Sequence, residues 1–323
     1  MGGEYFTEET TDDLSRVLRT PPVFFRSQRR RASFTVMPMS NFVSNLRIVL
    51  RSVWDNPGNR GQLLYRTARA LRWQISKRTL RRARVLTLPT GAKMKVYPDC
   101  HVSSAVVYAD WPEYHELQFL RRQLKSGEVV VDVGANVGHL LLLLSDVVGA
   151  ENLYGFEPTP LTFQRLEENW RLNQWPLKNL FNAAVGANSG TMFITNSKTP
   201  ETTNSVHAQA QGDDVAVAIK TLDASAALWH GRKIGLLKID VEGFEAQVFG
   251  GALRFLQESR PRFIMFESLG GQVESAVAES LAAARYVVFQ LDQHGELVWN
   301  RSDAQNLFAV PVETVAALKS QSA

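Results

Sequence analysis

VVVDVGANVGHLLLLL, residues 129–144, changes its hydrophobic period abruptly at a pair of glycines. Val129 to Val133 is a short, β-branched apolar run of the kind that forms a strand buried on both faces. His139 to Val148 reads as an apolar helix, so the stretch is strand, tight turn and helix, the opening unit of a nucleotide-binding α/β sheet. A dinucleotide fingerprint is G-x-G-x-x-G, whose glycines let the backbone approach a pyrophosphate. Here only Gly134 and Gly138 are present, and Asn136 holds the middle position. Asp132, at the end of the strand, would repel a pyrophosphate but suits a ligand carrying an ammonium and a sulfonium. The ligand this predicts is S-adenosylmethionine; the motif alone leaves a structural glycine turn or another nucleotide open.

Downstream, strands and helices alternate. Strands are expected at 153–156, 179–185, 235–239, 262–266 and 286–291, with short ones at 296–299 and 307–310. Helices fall between them at 161–173, 244–258 and 273–284. Residues 191–222 read as an insertion before Asp223, which has the look of a helix N-cap. Such alternation implies a mainly parallel sheet with helices on both faces. Ligands bind such sheets outside the carboxyl ends of the strands, and four carboxylates fall there: Asp132, Glu157, Asp240 and Glu267. Converging carboxylates repel unless a cation or hydroxyl donors lie between them.

Each candidate has a chemical reason. Glu157 lies about twenty residues past the glycine turn, where an acid at the end of the second strand reaches ribose hydroxyls. Asn182 and Ala183, at the end of the third strand, are placed along an adenine, though small-residue packing accounts for them equally. Asp240 and Glu242 in LKIDVEGF put two carboxylates beside the transferable methyl, and His207 in the polar insertion is a third candidate base. His139 follows Gly138 and is read as a neutral packed histidine. No paired Cys/His or H-x-x-x-H spacing exists, so no metal site is expected.

The 323 residues are 45% hydrophobic, with a formal net charge of +4, enough for one large α/β domain and an accessory piece. No stretch approaches the ~18 apolar residues of a membrane span, and the acidic start argues against a secretory signal. With Cys100 alone, a reducing cytoplasm is the expected setting. Four regions follow: a flexible tail (1–40) with Arg26 and Arg29 to Arg31, a basic helical arm (41–84), a small β/α lead-in (85–127) and the main domain (128–323). In the arm Leu63, Leu64, Ala68, Leu71 and Ile75 form an apolar stripe. The other face carries Arg60, Arg66, Arg69, Arg72, Lys77, Arg78, Arg81, Arg82 and Arg84. That basic face is read as the solvated side of an arm packed on the main domain, with contact to an anionic membrane surface or acidic substrate as the alternative. Nucleic acid is disfavoured, because no aromatic platform is interleaved with the arginines.

The chain resembles the FkbM-type S-adenosylmethionine-dependent methyltransferases. The resemblance rests on VVVDVGANVGH (129–139), GFEP (155–158), NAAVG (182–186), LKIDVEGFEAQVFGGA (237–252), FIMFE (263–267) and NLFAVP (306–311), and covers roughly residues 114–311. It implies a Rossmann-like, seven-stranded methyltransferase sheet, mostly parallel with its last strand antiparallel. It also implies O-methylation of a hydroxyl on a sugar, glycolipid or related metabolite. Residues 1–110 lie outside it. Three other readings remain at this stage: a nucleic-acid methyltransferase using the basic arm, a non-catalytic cofactor-binding regulatory module, and a nicotinamide dehydrogenase. The last is disfavoured by Asn136.

Overall fold

The structure is a computed structural model that describes residues 39–194, 206–207, 214–268, 272–299 and 301–320. The tail expected over 1–40 lies outside the described residues except for its last two. Helices α1 (Met39–Trp54) and α2 (Leu63–Thr79) are followed by the hairpin β1 (Arg84–Thr87) and β2 (Lys93–Val96), then by α3 (His101–Tyr108) and α4 (Tyr114–Gln123). The opening unit is β3 (Val129–Val133) and α5 (His139–Val148), continued by β4 (Leu153–Phe156), α6 (Pro160–Leu172), β5 (Leu180–Phe181) and β6 (Ala183–Val185). Next come β7 (Gly190–Ile194), β8 (Val206–His207), β9 (Val215–Lys220), α7 (Leu222–Ser225) and β10 (Ile234–Ile239). The remainder is α8 (Glu245–Gly250), α9 (Leu253–Glu258), β11 (Phe263–Glu267), α10 (Ser275–Ala283), β12 (Tyr286–Leu291), β13 (Leu297–Trp299), β14 (Asn306–Pro311) and α11 (Val315–Ser320).

The main sheet runs β13-β12-β14-β11-β10-β3-β4-β5. Strands β5, β4, β3, β10 and β11 are parallel, and β14 is antiparallel to both β11 and β12. The order reverses between β3 and β10, which makes their carboxyl ends the place where a ligand cleft forms. Period-2 alternation divides β3 between two cores: Val129, Val131 and Val133 join the one with Phe249, Phe255 and Phe266, whereas Val130 joins the one with Leu140 to Leu144 and Trp170. Asp132 shares the face of Val130, and Lys238 shares that of Leu236, so the two meet as register partners across the β3–β10 ladder.

The mostly parallel α/β sheet is as expected, with particular differences. An eighth strand, β13, is added at one edge by a hairpin from β12. The expected strand at 179–185 splits at Asn182: β5 completes the main sheet, and β6 crosses into a second, four-stranded sheet ordered β6-β9-β7-β8. The helix expected at 244–258 breaks into α8 and α9 at Gly250-Gly251. Asp223 does cap a helix, but not its own. Thr221 Oγ1 accepts from the Ala224 amide at the start of α7, while the Asp223 carboxylate accepts from the amides of Arg254 and Phe255 in α9.

In the arm the apolar stripe does not pack inward as expected, whereas Arg60, Arg72, Arg78, Arg81, Arg82 and Arg84 are exposed as expected. Leu64, Leu71 and Ile75 are exposed, and α2 packs through Arg66, Ala70, Trp73 and Ser76. Arg66 and Arg69 both pair with Asp110, Trp73 Nε1 donates to Ser104 Oγ at 3.1 Å, and Trp73 enters the same core as α5. From Ser44 onward the described residues form one compact unit.

Candidate active site

The turn after β3 is shaped by three left-handed residues, Gly134 (φ 85°), Asn136 (φ 51°) and Gly138 (φ 86°). A Cβ on Gly134 would lie 1.9 Å from the carbonyl oxygen of Asp240, so only glycine lets this turn rest on the end of β10. At Gly138 the added atom would lie 2.5 Å from Leu166 Cδ1, which ties the start of α5 to α6. The amide of Asn136 donates to Glu157 Oε2 at 3.0 Å, and the amide of Thr159 donates to Oε1 at 2.8 Å. Glu157 is thus clamped between two turns. Burial pushes its carboxyl up to about 7, although both amides pull the other way.

Beside this turn stands a compact group of charges. Asp132 is 0% exposed, and neither of its carboxylate oxygens has a hydrogen-bond partner. The Lys238 ammonium is 3.6 Å from Asp132 Oδ1 and donates to Asp240 Oδ2 at 2.9 Å. Burial alone would pull Lys238 down, but the charges of Asp132, Asp240 and Glu113 outweigh it and leave the ammonium above its ordinary value. Burial raises Asp132, whereas the Lys238 charge holds Asp240 below the usual carboxylate range. Asp240 also shares a hydrogen bond with Glu267, which is raised by burial and accepts from Gln305 Nε2 at 2.9 Å. His139 is kept neutral, its pKa pushed down to about 3 by burial, and its Nδ1 has no partner.

Glu242 follows in a left-handed conformation (φ 51°), set by Glu245, whose buried carboxylate accepts from the amides of Val241 and Gly243. Its side chain reaches solvent and is also crowded by the surrounding protein. That crowding, then the charges of Asp240, Glu267, Glu157 and Glu245, raises its carboxyl to about 7. Glu113, at the start of α4, has the same strained backbone (φ 48°, ψ 55°) and caps no amide. Crowding raises it to about 7 against the opposing charge of Lys238. A cavity of about 380 Å³ opens next to Glu267, between Glu245, Phe266, Ser268, Gln272 and Val277.

The strand ends therefore bring together Asp132, Gly134, Asn136, Gly138, Glu157, Asp240, Glu242 and Glu267. Asn182 reaches this group indirectly, since its side-chain amide donates to the carbonyls of Glu157 and Pro158 and holds the loop that carries Glu157. Ala183 is buried in β6, paired with Ala218 of β9. His207 lies on β8, opposite Phe193. Three participants escaped the sequence reading. A lysine inside the buried run IGLLKI was a signal for Lys238, because an apolar strand tolerates a cation only beside acids. Glu245 had a weaker signal in its position at a helix start. Glu113 had none, since its proximity is tertiary. Among the described residues no group of three or more His, Cys, Asp or Glu is arranged to hold a metal.

These residues fit S-adenosylmethionine. A buried carboxylate without hydrogen bonds is costly, and a ligand's ammonium or hydroxyl relieves that cost. Glu157, with lone pairs left after its two amides, is an acceptor for diol hydroxyls.

The family profile described as "Methyltransferase FkbM domain" matches residues 132–292. The hexuronic acid methyltransferase AglP of Haloferax volcanii is 27% identical over 175 residues, spanning 54% of this chain and 69% of the relative. Among solved structures, the tRNA (uracil-54, C5)-methyltransferase of Pyrococcus abyssi, in complex with S-adenosyl-L-homocysteine, aligns at 11% identity and TM-score 0.38, over 71% of this chain and 43% of that one. A SAM-dependent O-methyltransferase of Thermotoga maritima aligns at 15% identity and TM-score 0.31, over 61% and 64%. No helix among the described residues is long and apolar enough to cross a membrane.

Proposed function

Because the chain belongs to the FkbM methyltransferase family, we propose that it is an S-adenosylmethionine-dependent O-methyltransferase acting on a hydroxyl of a sugar, glycolipid or related metabolite. The observation that carries this reading is the ring of carboxylates at the ends of β3, β4, β10 and β11, on both sides of the point where the strand order reverses. S-adenosylmethionine, when bound, supplies an electrophilic methyl group on a sulfonium. Glu157 is assigned to the ribose hydroxyls, Asn136 to shaping the turn, and Asp132 with Glu113 to the negative field that favours a cationic ligand. Asn182 is assigned to positioning Glu157.

A sugar hydroxyl is a weak nucleophile, so alignment provides most of the rate and a base removes the proton. Its position at the end of β10 makes Asp240 one candidate for that base. Electrostatics favours Glu242, because Asp240 is held ionised by Lys238 and is a weak acceptor, whereas Glu242 sits near 7, where proton transfer at neutral pH is best matched. Asp240 then orients the acceptor, and His207 stands as the remaining candidate base.

The cavity beside Glu267 supports this reading of the acceptor. Among the described residues its lining combines Ser268, Gln272, Ser275 and three glutamates, Glu245, Glu267 and Glu274, with no lysine or arginine. Such a wall accepts hydrogen bonds from hydroxyls and disfavours an anion. The test is transfer of labelled methyl to a panel holding neutral hexosides, glycolipids and hexuronic acids, the last taken from the name of the archaeal relative. Label on a hydroxyl of any sugar supports the reading, with neutral sugars expected ahead of acidic ones. Label entering only RNA, or none entering any acceptor while the cofactor binds, would replace it.

A further inference from the structure

Of the eleven large apolar side chains exposed among the described residues, eight lie between Ile48 and Val85. That concentration needs an explanation, because scattered surface leucines are ordinary and a contiguous patch is not. On α2 the spacing is regular: Leu64, Ala68, Leu71 and Ile75 follow one another at four, three and four residues, one stripe along a helix. Leu64 is 87% exposed and Ile75 62%, while the opposite side of the helix, with Arg66, Ala70, Trp73 and Ser76, is packed inward. The indole of Trp54 donates to Thr67 Oγ1, one turn from both Leu64 and Leu71, and so extends the stripe while remaining 58% exposed.

The stripe is bordered by positive charge. Arg60, Arg72, Arg81, Arg82 and Arg84 are exposed, and no acidic residue occurs in the sequence between Asp55 and Asp99. On the opposite side of the helix Arg66 and Arg69 both pair with Asp110, which fixes the helix with its apolar stripe outward. Leucine and isoleucine along one line, an aromatic side chain with a polar edge beside them, and arginines at the margin together match the requirements of a bilayer interface. The apolar groups enter the acyl boundary, the indole stays at headgroup level, and the guanidinium groups meet phosphates.

We propose that the outward stripe of α2, extended by Trp54 and rimmed by Arg60, Arg72, Arg81 and Arg82, docks the protein onto an anionic phospholipid surface. The proposal does not depend on the methyl-transfer reading. A helix lying in the plane of the interface needs no membrane-spanning length.

The experiment is flotation of the full chain with vesicles of phosphatidylglycerol mixed with phosphatidylcholine, and with vesicles of phosphatidylcholine alone. The protein is expected to float with the mixed vesicles, to be released by salt, and to stay behind with phosphatidylcholine alone. Leu64→Glu, Leu71→Glu and Ile75→Glu together should reduce flotation at least roughly tenfold, since each removes apolar contact and adds repulsion. All three sites already face water, so the melting temperature and cofactor affinity of the triple variant should match the parent. Failure of the parent chain to float, equal flotation with both vesicle types, or full flotation of the triple variant would each overturn the proposal. A parent chain that is dimeric in solution and made monomeric by the triple variant would also overturn it, by assigning the stripe to a second copy.

Discussion

At the carboxyl edge of the sheet the chain buries Asp132, Lys238 and Glu157, whereas on α2 it leaves Leu64, Leu71 and Ile75 in water. Both places depart from the ordinary sorting of polar and apolar groups, and they differ in what compensates. At the sheet edge, compensation is largely internal: Lys238 lies between two aspartates, Glu157 accepts from two amides, and Glu245 holds the turn that carries Glu242. Asp132 is left short of hydrogen bonds, as is Nδ1 of His139. On α2 nothing in the described chain covers the stripe. The internally balanced departure fits the proposed site for a small charged ligand, and the uncovered stripe fits the proposed docking surface.

The sharpest way to break this distinction is at Glu242. Glu242→Gln keeps the volume and removes the proposed base, and turnover on an accepted sugar should fall by about 10²- to 10⁴-fold with cofactor affinity little changed. Single-turnover kinetics read the effect, and a near-normal rate would pass the proton to Asp240, His207 or water. Gly134→Ala comes next. The new methyl would collide with the Asp240 carbonyl at a positive φ, so denaturant titration should show a loss of more than about 3 kcal/mol, or no folded protein. A mild effect would mean that the two strand ends are not in contact.

On the arm, Asp110→Ala leaves the guanidinium groups of Arg66 and Arg69 without their shared partner. Both lie mostly out of solvent, and a stability loss of about 2 to 3 kcal/mol is expected. A negligible loss would show that the packing of Trp73 alone orients α2. The smallest effect is the response of stability to pH. Glu113, Glu157 and Glu242 have an ordinary value of 4.5 and sit near 7 in the fold. Between those values the folded chain holds protons that the unfolded chain has released, so stability is highest below the lower value and falls as pH rises through the upper one. Two groups oppose this: Asp240, held low by Lys238, only at more acid pH, and His139, held neutral by burial, below the ordinary histidine value. Without cofactor, the melting temperature should be higher near about pH 5 than near about pH 8.

How much of this was legible in the sequence follows the same division. Strand positions obey a local period of two, so VVVDV announced both its buried faces and the place of Asp132, and the same logic placed Glu157, Asp240 and Glu267 at strand ends. A helix stripe carries no such information about direction. Leu64, Leu71 and Ile75 were visible as a line, but which side of α2 packs inward was decided by Asp110 and Ser104, distant in sequence and adjacent only in the fold. The crossing of the chain between sheets at Asn182, and the capping of α9 by Asp223, were hidden for the same reason. Lys238 was the intermediate case: its place in the strand was readable, its two partners were not.

Binding of a cationic nucleoside in the cleft is tested most directly by calorimetry with S-adenosylmethionine, using the full chain, its Glu157→Gln variant and NAD as the competing ligand. The expected result is binding of S-adenosylmethionine, weakened in the variant by about 1.5 to 3 kcal/mol through loss of charged hydrogen bonds to two hydroxyls, and far weaker binding of NAD. Tight binding of NAD with no heat from S-adenosylmethionine would contradict it.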